Sequence, residues 1–233
     1  MITALLFAVC FPAFAVPTTP FTGTILFENG SGVTLSEWTK NKPFLDCAKK
    51  TGRLFFYNRA VPTQPFTPQD VNQYLISQLK VHRISPPFIL VAHSYGAFYS
   101  MYFARKYPQL ITGVLLIDPV PASYEWSNAF LKKNDLPKDK MSAELYYQLK
   151  AFQETKTEVY YMPALSDQIP VIILSSSEME KHAPITGDWF TQQKQWLNHN
   201  PLSKIMSVNS GHFIQMDQPA VVCEQLKKLV KNA

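Results

Sequence analysis

Three stretches of this chain, 88–91, 114–117 and 171–174, are apolar at every position. A strand with one wet face alternates apolar and polar residues, whereas a strand covered by helices on both faces does not. These three stretches therefore read as central strands of a parallel sheet. The first extends to 92, and less uniformly apolar segments at 24–28, 53–58 and 204–208 bring the predicted strands to six. Between them the apolar period lengthens to that of a helix. Val71, Tyr74, Leu75 and Leu79 form one stripe on a helix predicted over 68–82, with Pro68 in its first turn behind Thr67. Further helices are expected over 95–106, 189–198 and 220–231, and over 35–50 with an interruption near Pro43. Strands alternating with helices predict an α/β fold: a mostly parallel central sheet of about six strands flanked by helices.

The passage from strand 88–92 to helix 95–106 leaves no room for a loop, so a sharp turn must sit at Ser94. Ala92 and Gly96, two residues to either side, are small enough for neighbouring backbone to approach a strained strand-to-helix elbow that exposes the hydroxyl. The consensus for such an elbow is G-x-S-x-G, and the chain has Ala-His-Ser-Tyr-Gly. A serine hydroxyl is a weak nucleophile unless a neutral imidazole accepts its proton. His212, in a short loop after the last strand, is placed for that role. His93 reads as a packing residue, and His82, His182 and His199 as exposed or helix-end residues.

Composition sets the outer limits. The chain has 233 residues, enough for one domain with a sizeable core. Its content is 46% hydrophobic and 17% charged, which describes a globular protein. The net charge of +5 comes from scattered Lys and Arg, so nucleic acid is not an expected partner. There is no zinc-ligand spacing, P-loop, dinucleotide fingerprint or internal repeat, so neither a metal nor a cofactor is expected.

Three segments taken in order carry a resemblance. TILFENGSG at 24–32 looks like a strand with a glycine-bearing oxyanion loop, although Asn29 stands where histidine is common. AHSYG at 92–96 is the elbow, and SGHFIQMDQP at 210–219 is similar to a histidine loop leading into a last helix. In these features the chain resembles the α/β-hydrolase family, serine esterase and lipase branch, over nearly everything after residue 20. The resemblance implies a serine hydrolase that cleaves carboxylic esters through an acyl-enzyme, with a Ser94, His212 and Asp118 triad in the chain order that this fold uses. Asp118, at the end of the strand GVLLID, is the preferred acid. Glu178, after the next strand, is the alternative, because the Gly-x-x-Asp turn common there is replaced by serines. The oxyanion hole would be the backbone N–H groups of Tyr95 and Ser31. The substrate would be a small molecule with an apolar acyl group. Serine rather than aspartate at the elbow argues against haloalkane dehalogenase or epoxide hydrolase chemistry. Thioester, amide, lactone or C–C bond cleavage, acyl transfer to an acceptor other than water, and a binding protein that has lost its chemistry stay open, because a fold alone does not choose among them.

The resemblance also frames the remaining segments. The opening strand pair usual in the family is reduced. Residues 119–170 are too many for a simple crossover and are expected to form a short helical cap. Its aromatics, Trp126, Phe130 and Phe152 among them, would roof the serine. Residues 1–15 read as a secretory signal ending Ala13-Phe14-Ala15, which makes a secreted or periplasmic location the expectation and leaves 16–233 as the hydrolase domain. The apolar run is too short to span a bilayer. With Cys10 removed, Cys47 and Cys223 remain, on two helices that in this family cover the same face of the sheet. Pairing between them and two independent buried thiols are both open.

Overall fold

A computed structural model describes residues 21–125, 138–181 and 188–233. The expected signal segment lies outside these residues, as do Trp126, Phe130 and His182. Six parallel strands form one sheet: β1 (Thr24–Glu28), β2 (Arg53–Phe56), β3 (Phe88–His93), β4 (Ile111–Ile117), β5 (Val171–Ser176) and β6 (Lys204–Val208). Their spatial order is β2-β1-β3-β4-β5-β6. The chain runs outward from β1 to β2 and then crosses back to β3. In open sheets of this kind such a reversal marks the place, at the carboxyl ends of the two strands beside it, here β1 and β3, where ligands bind.

Successive side chains of a strand point to opposite faces, and the core divides accordingly. On one face Leu26, Leu90, Leu116 and Ile173 pack against α3 (Pro68–Val81) and α4 (Gly96–Lys106). On the other, Ile25, Phe27, Ile89, Val91, Leu115 and Leu174 pack with Trp38 and Phe44 of α1 (Ser36–Thr39) and α2 (Lys42–Ala48). Val222, Leu226 and Leu229 of the last helix, Pro219–Lys231, join this second face. Both faces are therefore dry, which is why β3 and β5 show no alternation.

The differences from the sequence expectation have local causes. Strand β4 begins at Ile111 rather than at 114, because Gly113, a residue usually depleted from strands, here admits Leu229: a Cβ at 113 would lie 3.1 Å from it. The helix expected over 35–50 is two helices. Asn41 caps the second, accepting a hydrogen bond from the Phe44 N–H at 3.0 Å, and Pro43 falls in the first turn, where its missing donor costs nothing. Helix α3 starts as expected, with Thr67 and Asp70 exchanging capping hydrogen bonds.

Between β4 and β5 lie α5 (Ala143–Lys150), capped by Ser142, and α6 (Phe152–Tyr160). Phe152 packs on Tyr95 and Phe98, so this segment sits over the start of α4. After β5 come α7 (Ser177–Lys181), α8 (Trp189–Gln193), α9 (Ile214–Asp217) and the last helix, α10 (Pro219–Lys231). Cys47 of α2 and Cys223 of α10 are joined as a disulfide, with their Cα atoms 6.3 Å apart, across 176 residues of sequence. Among the described residues no helix is long and apolar enough to cross a membrane.

Candidate active site

Strand β3 ends at His93 and α4 begins at Gly96, so two residues make the whole turn. Ser94 adopts φ 53°, a left-handed conformation that costs a non-glycine residue energy and persists only where neighbours enforce it. They do so here: the Ser94 N–H donates to Ile117 O at 2.9 Å, and Ser94 O accepts from the Val120 N–H at 3.2 Å. Gly96 faces the end of β1 so closely that a Cβ would lie 2.5 Å from Asn29 O, which leaves glycine as the fitting residue.

Ser94, His212 and Asp118 are brought together from three separate strand ends. His212 Nδ1 lies 2.5 Å from Asp118 Oδ2 and donates to it. That tautomer leaves Nε2, 2.8 Å from Ser94 Oγ, free to accept the hydroxyl proton. Asp118 is fully buried and also has positive φ, 41°. Its second oxygen, Oδ1, accepts from the Ser176 N–H at 3.0 Å, Trp189 Nε1 at 2.7 Å and Gln193 Nε2 at 3.0 Å. Burial by itself pushes the Asp118 carboxyl up. The hydrogen bond and charge of His212, with the Ser176 and Trp189 donors, outweigh it and hold the group below the usual carboxylate range. Glu178, the alternative acid, pairs instead with Lys181 one turn along α7.

The loop 28–32 lies against this elbow, tied down from several sides. Asn29 donates to Tyr57 O at 3.0 Å and accepts from Trp38 Nε1 at 2.9 Å, so its side chain is spent on structure. The Gly30 N–H donates to Glu37 Oε1 at 2.8 Å. Arg59, which follows β2, donates to Asn29 O and Gly30 O. Among the described residues no group accepts a hydrogen bond from the Ser31 N–H or the Tyr95 N–H, so both amides remain free donors. Ser31 Oγ instead donates to Gln148 Oε1 of α5 at 2.6 Å, which places α5 directly over the loop.

Several residues here carried no signal in the sequence. Glu37 is buried, and its Oε2 accepts from Gln215 Nε2 at 2.9 Å and lies 2.7 Å from His93 Nδ1, without the alignment of a hydrogen bond. His93 Nε2 in turn donates to the backbone oxygen of His212 at 3.0 Å. The packing role expected for His93 holds for its ring, 4.8 Å from that of His212, but its nitrogens join a polar tie. On the other side Glu28, Tyr57 and Arg59 form a buried cluster. Desolvation raises the Glu28 carboxyl, opposed by the Arg59 charge and the Tyr57 hydroxyl. Among the described residues no three His, Cys, Asp or Glu side chains are grouped to hold a metal ion.

No family model matches the chain. Over 210 residues it is 28% identical to the uncharacterized protein YqjL of Bacillus subtilis strain 168, covering 85% of this chain and 80% of that one. An AqdC variant in complex with its substrate, solved for recognition and ring-cleavage of the Pseudomonas quinolone signal, superposes with TM-score 0.69. The identity is 12%, over 91% of this chain and 92% of that one. Carboxylesterase CesB (YbfK) from Bacillus subtilis superposes with TM-score 0.60 at 13% identity, over 90% of this chain and 84% of the esterase. The chain has the α/β-hydrolase fold. In this α/β-hydrolase fold the six strands are all parallel, and among the described residues no strand precedes β1. The carboxyl edge of its sheet is where Ser94, Asp118 and His212 meet, each just beyond a strand end.

Proposed function

We propose that this protein is a serine hydrolase acting on carboxylic esters through an acyl-enzyme, with Ser94 as nucleophile, His212 as general base and acid, and Asp118 as the carboxylate partner. The observation that carries the reading is the unbroken hydrogen-bonded chain from Asp118 through His212 to Ser94 Oγ. The presence of an esterase among proteins of the same fold supports it.

The chemistry follows from the geometry. As Ser94 Oγ bonds to the acyl carbon, its proton passes to His212 Nε2, and the imidazolium is held by the buried Asp118 carboxylate. The electron pair displaced from the carbonyl resides on an oxygen facing the Tyr95 and Ser31 amides, whose stabilisation is worth about 10²–10³ in turnover per donor. Collapse breaks the ester C–O bond, and the departing alkoxide takes the proton from His212. Water then repeats the sequence, with His212 accepting its proton, and frees the acid. Phe152 lies against Tyr95 and Phe98, on the side where an apolar acyl group would be covered. In this reading residues 119–170 are the cap, and export to an oxidising compartment accords with the Cys47–Cys223 bond.

A fluorophosphonate probe tests the class directly. The folded protein should be labelled and Ser94→Ala should not, with parallel loss of p-nitrophenyl ester hydrolysis. Folded protein that takes up no label and turns over no ester in a panel of graded acyl length would instead support a binding protein.

A further inference from the structure

Arg59 is buried, with 2% of its side chain exposed, and each of its five N–H groups has an acceptor. Nη1 donates to Glu28 Oε1 and, at 2.8 Å, to Asn29 O. Nη2 donates to Gly30 O at 2.6 Å and to Glu144 Oε1, and Nε donates to the same Glu144 oxygen at 2.8 Å. The guanidinium also lies 5.3 Å from the centre of the Tyr99 ring. A buried cation between two carboxylates is costly to assemble unless its geometry is complete, so so full a set of bonds marks a place where a defined arrangement is retained.

The carbonyl that Arg59 holds belongs to the peptide unit whose other half is the Ser31 N–H. That unit is planar and trans, so its C=O and N–H point in opposite directions. Fixing Gly30 O toward Arg59 therefore turns the Ser31 N–H away from it, while Glu37 fixes the preceding N–H of Gly30 at 2.8 Å. Neither flanking peptide can rotate without breaking one of these bonds. Glu144 is on α5, and so is Gln148, which accepts from Ser31 Oγ at 2.6 Å and donates to the Tyr99 hydroxyl at 3.1 Å.

We infer that Arg59 is a positioning residue for the oxyanion hole, setting the direction of the Ser31 amide, and that Glu144 links that setting to the overlying helix α5. The inference rests on the proposed serine-hydrolase reading. Arg59 touches no reacting atom; it acts through the Gly30–Ser31 peptide. A lysine keeps the charge facing Glu28 but is a point donor that cannot span Asn29 O, Gly30 O and Glu144 together.

The test compares wild type, Arg59→Lys and Glu144→Gln in hydrolysis of p-nitrophenyl butyrate, in reaction with fluorophosphonate, and in inhibition by an alkyl trifluoromethyl ketone. The ketone carbon bonds to Ser94 Oγ, the serine proton goes to His212, and the resulting oxyanion reports the hole itself. Arg59→Lys, folded by its cooperative thermal melt, should lose about 10²–10³ in kcat, the cost of one misplaced donor, with KM within about twofold. Ketone inhibition should weaken by the same factor. Glu144→Gln should show the same pattern at about tenfold, since Arg59 keeps its two carbonyl acceptors. Arg59→Lys with wild-type kcat and ketone affinity overturns the inference, as does a lower melting temperature with kinetics unmoved. If Arg59→Lys does not fold, Glu144→Gln decides: parallel losses in kcat and ketone affinity support the inference, and unchanged kinetics overturn it. Wild type that is neither labelled nor active overturns the hydrolase reading as well, whereas labelled wild type with unaffected variants overturns this inference alone.

Discussion

His93 Nδ1 stands 2.7 Å from Glu37 Oε2, and both side chains are buried behind the loop that carries His212. Through His93 Nε2 the pair reaches the His212 backbone, and through Glu37 Oε1 it reaches the Gly30 N–H. One carboxylate thus links the histidine loop with the loop that bears Ser31. Glu37→Gln preserves shape but removes the charge, and hydrogen bonds to a charged group are worth about 1.5–3 kcal/mol. The melting temperature should fall by several degrees and ester turnover by about tenfold. Thermal melts and steady-state kinetics on one preparation check this, and a variant matching wild type in both would show that the tie is idle.

The two candidate acids separate cleanly by substitution. Asp118→Asn removes the acceptor that selects the His212 tautomer and should lower kcat by about 10⁴. Glu178→Gln should change kcat by less than about twofold, because Glu178 is spent on a half-exposed pair with Lys181, a kind of contact worth little. Reversal of these two results would move the acid to Glu178.

The lowered pKa of Asp118 has a pH signature. A carboxyl held below its unfolded value contributes stability that is present above that value, about 3.9, and is lost as pH falls toward the folded one. Urea unfolding measured from neutral pH down to about pH 3 should therefore show wild type losing stability on the acid side more steeply than Asp118→Asn. Parallel curves for the two proteins would mean that Asp118 titrates alike folded and unfolded.

The disulfide closes a loop of 176 residues, so its removal should be felt mainly through the unfolded chain. Alkylation and mass analysis of denatured protein should find two more reactive thiols after reduction than before. The double variant Cys47→Ala/Cys223→Ala should be less stable by about 2–5 kcal/mol in denaturant titration, with activity at low temperature retained. An equal thiol count before and after reduction would eliminate the bridge.

Much of the framework can be read along the chain. Buried strands β3 and β5 announce themselves as unbroken apolar runs, and α3 by its stripe and its Thr67 cap, because these depend on residues within a turn or a pleat of one another. The elbow is legible for the same reason: too few residues separate β3 from α4, and Gly96 meets the requirement for close backbone approach. Where local preference and tertiary contact conflict, the pattern misleads. Gly113 argues against strand taken alone, yet Leu229 of α10 fills the space it leaves and β4 runs through it.

What the sequence determined by itself was the alternation of strand and helix, the turn at Ser94 and the loop at His212, all set by interactions a few residues long. Tertiary structure alone decided which carboxylate faces the imidazole, that Cys47 meets Cys223, and that Arg59, Glu37 and Gln148 converge on one glycine loop. Asp118 and His212 are 94 residues apart, and Ser31 and Gln148 are 117 apart. Their meeting depends on strand order and register across the sheet, and no periodicity within a single element carries that information.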